Sequence, residues 1–256
     1  MIVVNIITLL LIITIFILWK MKKNYLRFNF SSKDEKERID LNIDKLLKEI
    51  DNEITVAAQA FFAWKSIHNV ASKEKNIEKA LNANALSWNI FLHSLQATFF
   101  IAIGRIFDTN PQSCSIHLLF RQCKNTIEEF SKYSLSQRRT EEAGGVKPAY
   151  LDDFIDKAYE PKPTDFKKLK KNVSRIQKNY EQHFRPVRHK VFAHNDSDYI
   201  SNTSALFSGA TIEDAEDILR TLYKVERVIR DLYTNGKEMN FGYWELEEDY
   251  ILKYNE

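Results

Sequence analysis

Apolar side chains recur at Ile39, Ile43, Leu46, Leu47, Ile50 and Ile54, three or four positions apart, the spacing that gathers them on one face of an α-helix. Little interrupts such patterns, because the 256 residues include only six glycines and five prolines. A sheet protein needs many more turns than those breakers can supply, so the chain is expected to be all-α. Ser31 or Ser32, followed by Asp34 and Glu35, reads as the start of a helix running from about 34 to 72. A second helix is predicted from Asn76 to Asp108, stopped by "TNPQS". Its middle is apolar nearly all round, as expected of the central helix of a core.

Further on, "SIHLLFRQCKN" and "TIEEFSKYSL" predict two short helices, and "SQRRTEEAGGVKPAY" (136–150), with Gly144, Gly145 and Pro148, reads as a connection. A short helix at about 149–159 is followed by a long one from about 165, capped by Thr164 and Asp165. "NDSDYISNTS" reads as a loop. Thr211, with Glu213 and Asp214 behind it, caps a last long helix that "NGK" at 235–237 ends.

The segment Met1 to Trp19 carries no charged side chain and is long enough to cross a bilayer core. It lacks both the basic lead and the small-residue site of a cleaved signal peptide, so it reads as a retained anchor. Lys20, Lys22, Lys23 and Arg27 follow it, with Trp19 and Tyr25 as interfacial aromatics, which places the N-terminus outside and everything downstream in the cytoplasm. Cys114 and Cys123 form neither a Cys-x-x-Cys nor a zinc set, and are expected to be buried, reduced thiols. The expected organisation is an anchor at 1–23, a juxtamembrane linker at 24–34, a helical domain at 35–235 and an aromatic, acidic tail at 236–256.

Net charge is only +2, yet it is unevenly spread. Between Lys157 and Lys190 there are eleven basic residues against three acids, a balance of +8; from Thr211 to Glu256, twelve acids face six bases, a balance of −6. Lys167, Lys168, Lys170 and Lys171 therefore form a candidate phosphate or RNA contact, or equally a solvated helix face.

That basic run leads into "RPVRHKVFAHND" (185–196). On a regular helix Tyr180, Phe184, Val187 and Val191 make one apolar stripe, and Arg188 and His194 lie about 60° to either side of Val191. Six residues separate that pair by roughly 9 Å along the axis, too far for an intimate pair on one straight helix. Pro186 has no N–H for the Gln182 carbonyl and biases Arg185 away from helical dihedrals, which predicts a kink. Histidine passes protons near neutral pH, and the guanidinium fork suits a phosphate oxygen. Together they suit opening an RNA phosphodiester through its own 2′-hydroxyl, with His194 moving protons and Arg188 holding the charge that builds on phosphorus. This chemistry needs no metal or cofactor, and no metal-ligand spacing occurs nearby. His183, about 20° from His194 on the wheel, is an auxiliary candidate, as are Arg185, His189 and Asn195; Asn195 and Asp196 also read as the helix stop. Arg105 and Asp108 are spaced to pair at i, i+3, pinning a helix end, and His68, His93 and His117 read as structural.

The stretch "RHKVFAHND" resembles the signature of the HEPN superfamily, in which an arginine, often followed by a polar residue, precedes a histidine by four to six positions. Arg188, His189 and His194 fill those places. With "FIAIGRIFD" (100–108) and "SIHLLFRQCKN" (115–125), the chain is similar to the abortive-infection branch of AbiU type. The resemblance implies an α-helical bundle, commonly a homodimer whose motifs meet in one cleft. It also implies a metal-independent endoribonuclease leaving a cyclic phosphate, and a role as toxin or antiphage defence, with an antitoxin or another defence protein as a further partner. Some members are not catalytic, so an inactive dimeric module that senses RNA or nucleotide, or recruits a partner at the membrane, stays open beside the nuclease. A structural membrane protein using the basic stretch for anionic lipid is a third reading.

Overall fold

A computed structural model describes residues 42–193 and 207–240. The expected membrane segment, the Ser31 or Ser32 cap, the loop after Ala193 and the tail beyond 240 lie outside them, as do His194, Asn195 and Asp196. The described residues form a bundle of helices, in keeping with the all-α expectation.

Helix α1 (Ile43–Lys73) begins where the Asn42 side chain accepts the Asp44 N–H at 2.6 Å. Its apolar face buries Ile43, Leu46, Leu47, Ile50 and Ile54 almost completely, each worth about 1.5–3 kcal/mol of removal from water. The predicted second helix is in fact two, α2 (Lys75–Ala83) and α3 (Ala85–Ile106), divided at Asn84. Asn84 takes φ −132°, ψ 51°, and asparagine leaves the helical conformation more readily than its neighbours because its side chain competes for backbone groups. Helix α3 runs back along α1 as its main partner.

The core reading of α3 holds for only half of it. Phe99, Phe100, Ala102, Ile103 and Ile106 are buried, whereas Leu86, Ile90 and Phe91 are exposed. The aromatic cluster at 99–100 meets Phe61 and Phe184, and among the described residues the face carrying Leu86, Ile90 and Phe91 is left uncovered.

Helix α4 (Ile116–Asn125) buries Leu119 and Cys123 between α1 and the later basic helix. Burial pushes the Cys123 thiol far above its usual range. Cys114, expected to be buried, is exposed, since it precedes the helix and its packed face. A 3-10 turn (Ile127–Phe130) leads to α5 (Lys132–Glu142), so the first half of the expected connection at 136–150 is helical. Ser131 caps α5 through the Ser134 N–H, and only at Gly144 and Gly145, both at positive φ, does the chain turn. Arg138 and Arg139 explain why: they reach the last carbonyls of the final helix at Tyr233 and Thr234, each at 2.7 Å. Those distant partners hold α5 in place and leave no mark in the local pattern.

After α6 (Leu151–Lys157) comes α7 (Pro163–Asn179), two residues earlier than predicted, with proline in the first turn and the Asp165 carboxylate accepting the Lys162 N–H at 2.8 Å. Helix α8 (Ile212–Asn235) is capped by the Thr211 hydroxyl and stopped by Gly236 at φ +57°, as the sequence predicts. It packs against α1 and α7 and closes the bundle.

Candidate functional site: a widened helix against a glycine

Past Asn179 the long helix stays helical but changes pitch. A π-helical turn spans Tyr180–Phe184, a short α-turn Arg185–Val187 carries Pro186, and a second π-helical segment spans Arg188–Ala193. The missing proline donor is accommodated by widening: the Arg185 N–H reaches back five residues to the Tyr180 carbonyl. Arg185 itself keeps helical dihedrals of −59° and −41°, contrary to the extended bias expected before proline, because the wide turn leaves room for the ring.

Each extra residue taken up by widening rotates the downstream side chains by about 100° relative to a regular helix. Tyr180, Phe184 and Val187 are buried on the expected stripe. Val191 and Phe192 are both half-buried, and it is Phe192, five residues beyond Val187, that stacks on Phe100 with ring centroids 5.1 Å apart. The other face of the Phe192 environment is His93, whose ring lies 5.3 Å away.

Arg188 lies against α3 at its one glycine. A Cβ at residue 104 would stand 2.2 Å from Arg188 Nε and 2.3 Å from its Cδ, so only bare backbone admits the side chain there. Arg188 is half-buried, and its Nε has no hydrogen-bond partner among the described residues. One helical turn beyond Gly104, Asp108 accepts the Ser113 hydroxyl at 2.7 Å and the Asn110 N–H at 3.0 Å. Those two bonds, with the Arg188 charge acting in the same sense, hold its carboxyl below the usual carboxylate range. Arg105, expected to pair with Asp108, instead bonds Glu53 of α1 at 3.1 Å, because the helix ends at Ile106 and Asp108 turns into the loop.

Tyr180 stacks on Phe107 at 4.7 Å. Burial raises its phenol, and Arg188 and Arg185 oppose that rise. His117 sits behind this pair: burial, helped by the Lys170 charge, lowers its basicity and keeps it neutral near pH 7. Its Nε2 is buried without a partner among the described residues.

Of the other candidates, Arg185 is exposed, His189 is half-buried, and His183 packs its Nδ1 side against Gly209 ahead of α8. Lys167, Lys168, Lys170 and Lys171 are all exposed on α7, opposite buried Phe166 and Leu169, with Lys168 3.7 Å from Asp165. Trp64 holds the His68 ring at 4.5 Å. Sequence reasoning left Gly104, Tyr180 and His117 out of the site and took Asp108 for a helix-end pair. The one available signal was that "FIAIGRIFD" puts the only glycine of a long apolar helix one turn before a carboxylate.

The described residues form a helical bundle that presents Arg188 from an irregular, basic helix, an arrangement compatible with the HEPN superfamily. The AbiU2 family profile of that superfamily matches residues 40–256, and the chain belongs to this family. No curated protein and no solved structure matches it.

Proposed function

We propose that this protein is a metal-independent endoribonuclease of abortive-infection or toxin type. In this reading residues 1–19 hold it at the membrane with its helical domain in the cytoplasm, an antitoxin or another defence protein restrains it, and a second copy completes its site. Family membership supports the class. The observation that carries the chemistry is the seat of Arg188 on Gly104 beside Asp108, which orients a permanently charged donor fork at the end of a basic helix.

The step needs no further reactant. His194 takes the proton of an RNA 2′-hydroxyl, the 2′-oxygen bonds to phosphorus, and the bond from phosphorus to the 5′-oxygen breaks. The leaving oxygen takes up a proton, giving a cyclic phosphate and a 5′-hydroxyl. Arg188 stabilises the extra negative charge on the phosphoryl oxygens while five bonds surround phosphorus.

The test is incubation of the purified full-length chain with total RNA in EDTA. Cleavage to cyclic-phosphate ends is expected, with His194→Ala and Arg188→Ala each slowing it by about 10²-fold or more at unchanged melting temperature. Tight RNA binding without cleavage would replace this reading with that of an inactive binding module.

A further inference from the structure

Six residues of α3 follow one another at alternating steps of four and three: Leu86, Ile90, His93, Ala97, Phe100 and Gly104. That spacing is the seam of a helix packed lengthwise on another. The lower part of the seam has its partner in the same chain, since Arg188 lies on Gly104 and Phe192 on Phe100 and His93. The upper part has none among the described residues: Leu86 is 75% exposed and Ile90 61%, flanked by exposed Phe91.

We propose that this upper seam is the docking surface for a second copy of this chain. Residues 80–104 contain no aspartate, glutamate, lysine or arginine. A two-fold contact sets a surface against itself, and a face without charge does so with no like-charge apposition. Charge depletion with aromatic enrichment is also the composition of a protein interface centre. Ser94 and Thr98, beside the seam, donate to the Ile90 and Ser94 carbonyls of their own helix at 2.8 Å each, so covering those hydroxyls strands no donor. The exposed amides of Asn82, Asn84 and Asn89 suit a hydrogen-bonding protein partner and disfavour lipid tails.

The surface is continuous with the motif helix through His93 and Phe192, so a copy seated there abuts the end of that helix. His93 thereby becomes part of the shared cleft. This deepens the nuclease reading, on which the cleft's chemistry rests; the contact itself is measured without any nuclease assay.

The test is sedimentation of the full-length chain in a density-matched detergent, with Leu86→Glu and Ile90→Glu as variants. The wild type is expected to be dimeric at micromolar concentration, and each variant to weaken association at least about tenfold. A second measurement covers poor folding of a variant. In a Cys114→Ser background, which removes the exposed native thiol, Leu86→Cys should cross-link chain to chain with a short bis-maleimide. A monomeric wild type, or an unchanged dimer in both glutamate variants with no cross-link, would overturn the proposal. A dimer that cuts no RNA leaves the surface standing and removes the nuclease; cleavage by a monomer does the reverse.

Discussion

Arg188 rests on the backbone of Gly104, and the two positions are mutually exclusive as soon as residue 104 carries a Cβ, which would stand 2.2 Å from the guanidinium's Nε. The widened helix and the apolar helix are therefore locked in one register by an absence of side chain.

Gly104→Ala separates stability from function at this contact. Alanine in a helix interior is favoured over glycine by roughly 0.5–1 kcal/mol, so a large fall in melting temperature is not expected, while Arg188 must leave its seat. RNA cleavage should fall by about 10²-fold, close to the loss in Arg188→Ala, and the double variant should be no worse than either single one. Independent, multiplicative losses would show that Gly104 serves packing alone.

Asn110 N–H and the Ser113 hydroxyl bond different oxygens of Asp108, so Asp108→Asn keeps an acceptor for only one of them and removes the charge facing Arg188. Because the native carboxyl titrates below its unfolded value, its contribution is present above the ordinary carboxylate range and is lost as pH falls through the lowered value. The wild type should accordingly lose stability more steeply on acidification below pH 4 than the variant does. Parallel acid-unfolding curves, followed by circular dichroism, would remove Asp108 from the network.

Glu226 of α8 gives the opposite sign. It is fully buried, bonded to Arg230 Nε at 2.7 Å and near Arg227 and Asp51, and burial pushes its carboxyl up to about 7. A raised acid binds its proton more tightly when folded, so its stabilising contribution is present at about pH 4 and is lost as pH rises through about 7. Glu226→Gln should flatten that decline, narrowing the gap to wild type or reversing it as the pH rises from 5 to 8 in thermal melts. An identical slope in both proteins would mean that the arginines keep Glu226 ionised throughout.

The apolar periodicity of α1, and the Thr211 cap and Gly236 stop of α8, were legible because each depends on neighbours within one or two turns. Helix α5 was not, since Arg138 and Arg139 bond carbonyls nearly a hundred positions away. The same divide runs through the site. Arg188 stood out from its own stretch, but its seat is set by Gly104 on another helix, and a wheel drawn at regular pitch put Val191 where Phe192 belongs. Pro186 announced a disturbance; that it would be absorbed by widening, with Arg185 still helical, depends on the packing of Phe184 and Val187 to either side.

A π-helical turn is an ordinary helix holding one residue more than its pitch requires. Two such turns flank Pro186, one of them starting at Arg188. Length is therefore the adjustable dimension of this segment: dropping one residue between Arg188 and Ala193 would tighten the turn to regular pitch while α7 and the Gly104 seat stayed where they are. The number of residues after the arginine thus sets the bearing of Phe192 toward Phe100, so that an insertion or deletion there acts as a rotation.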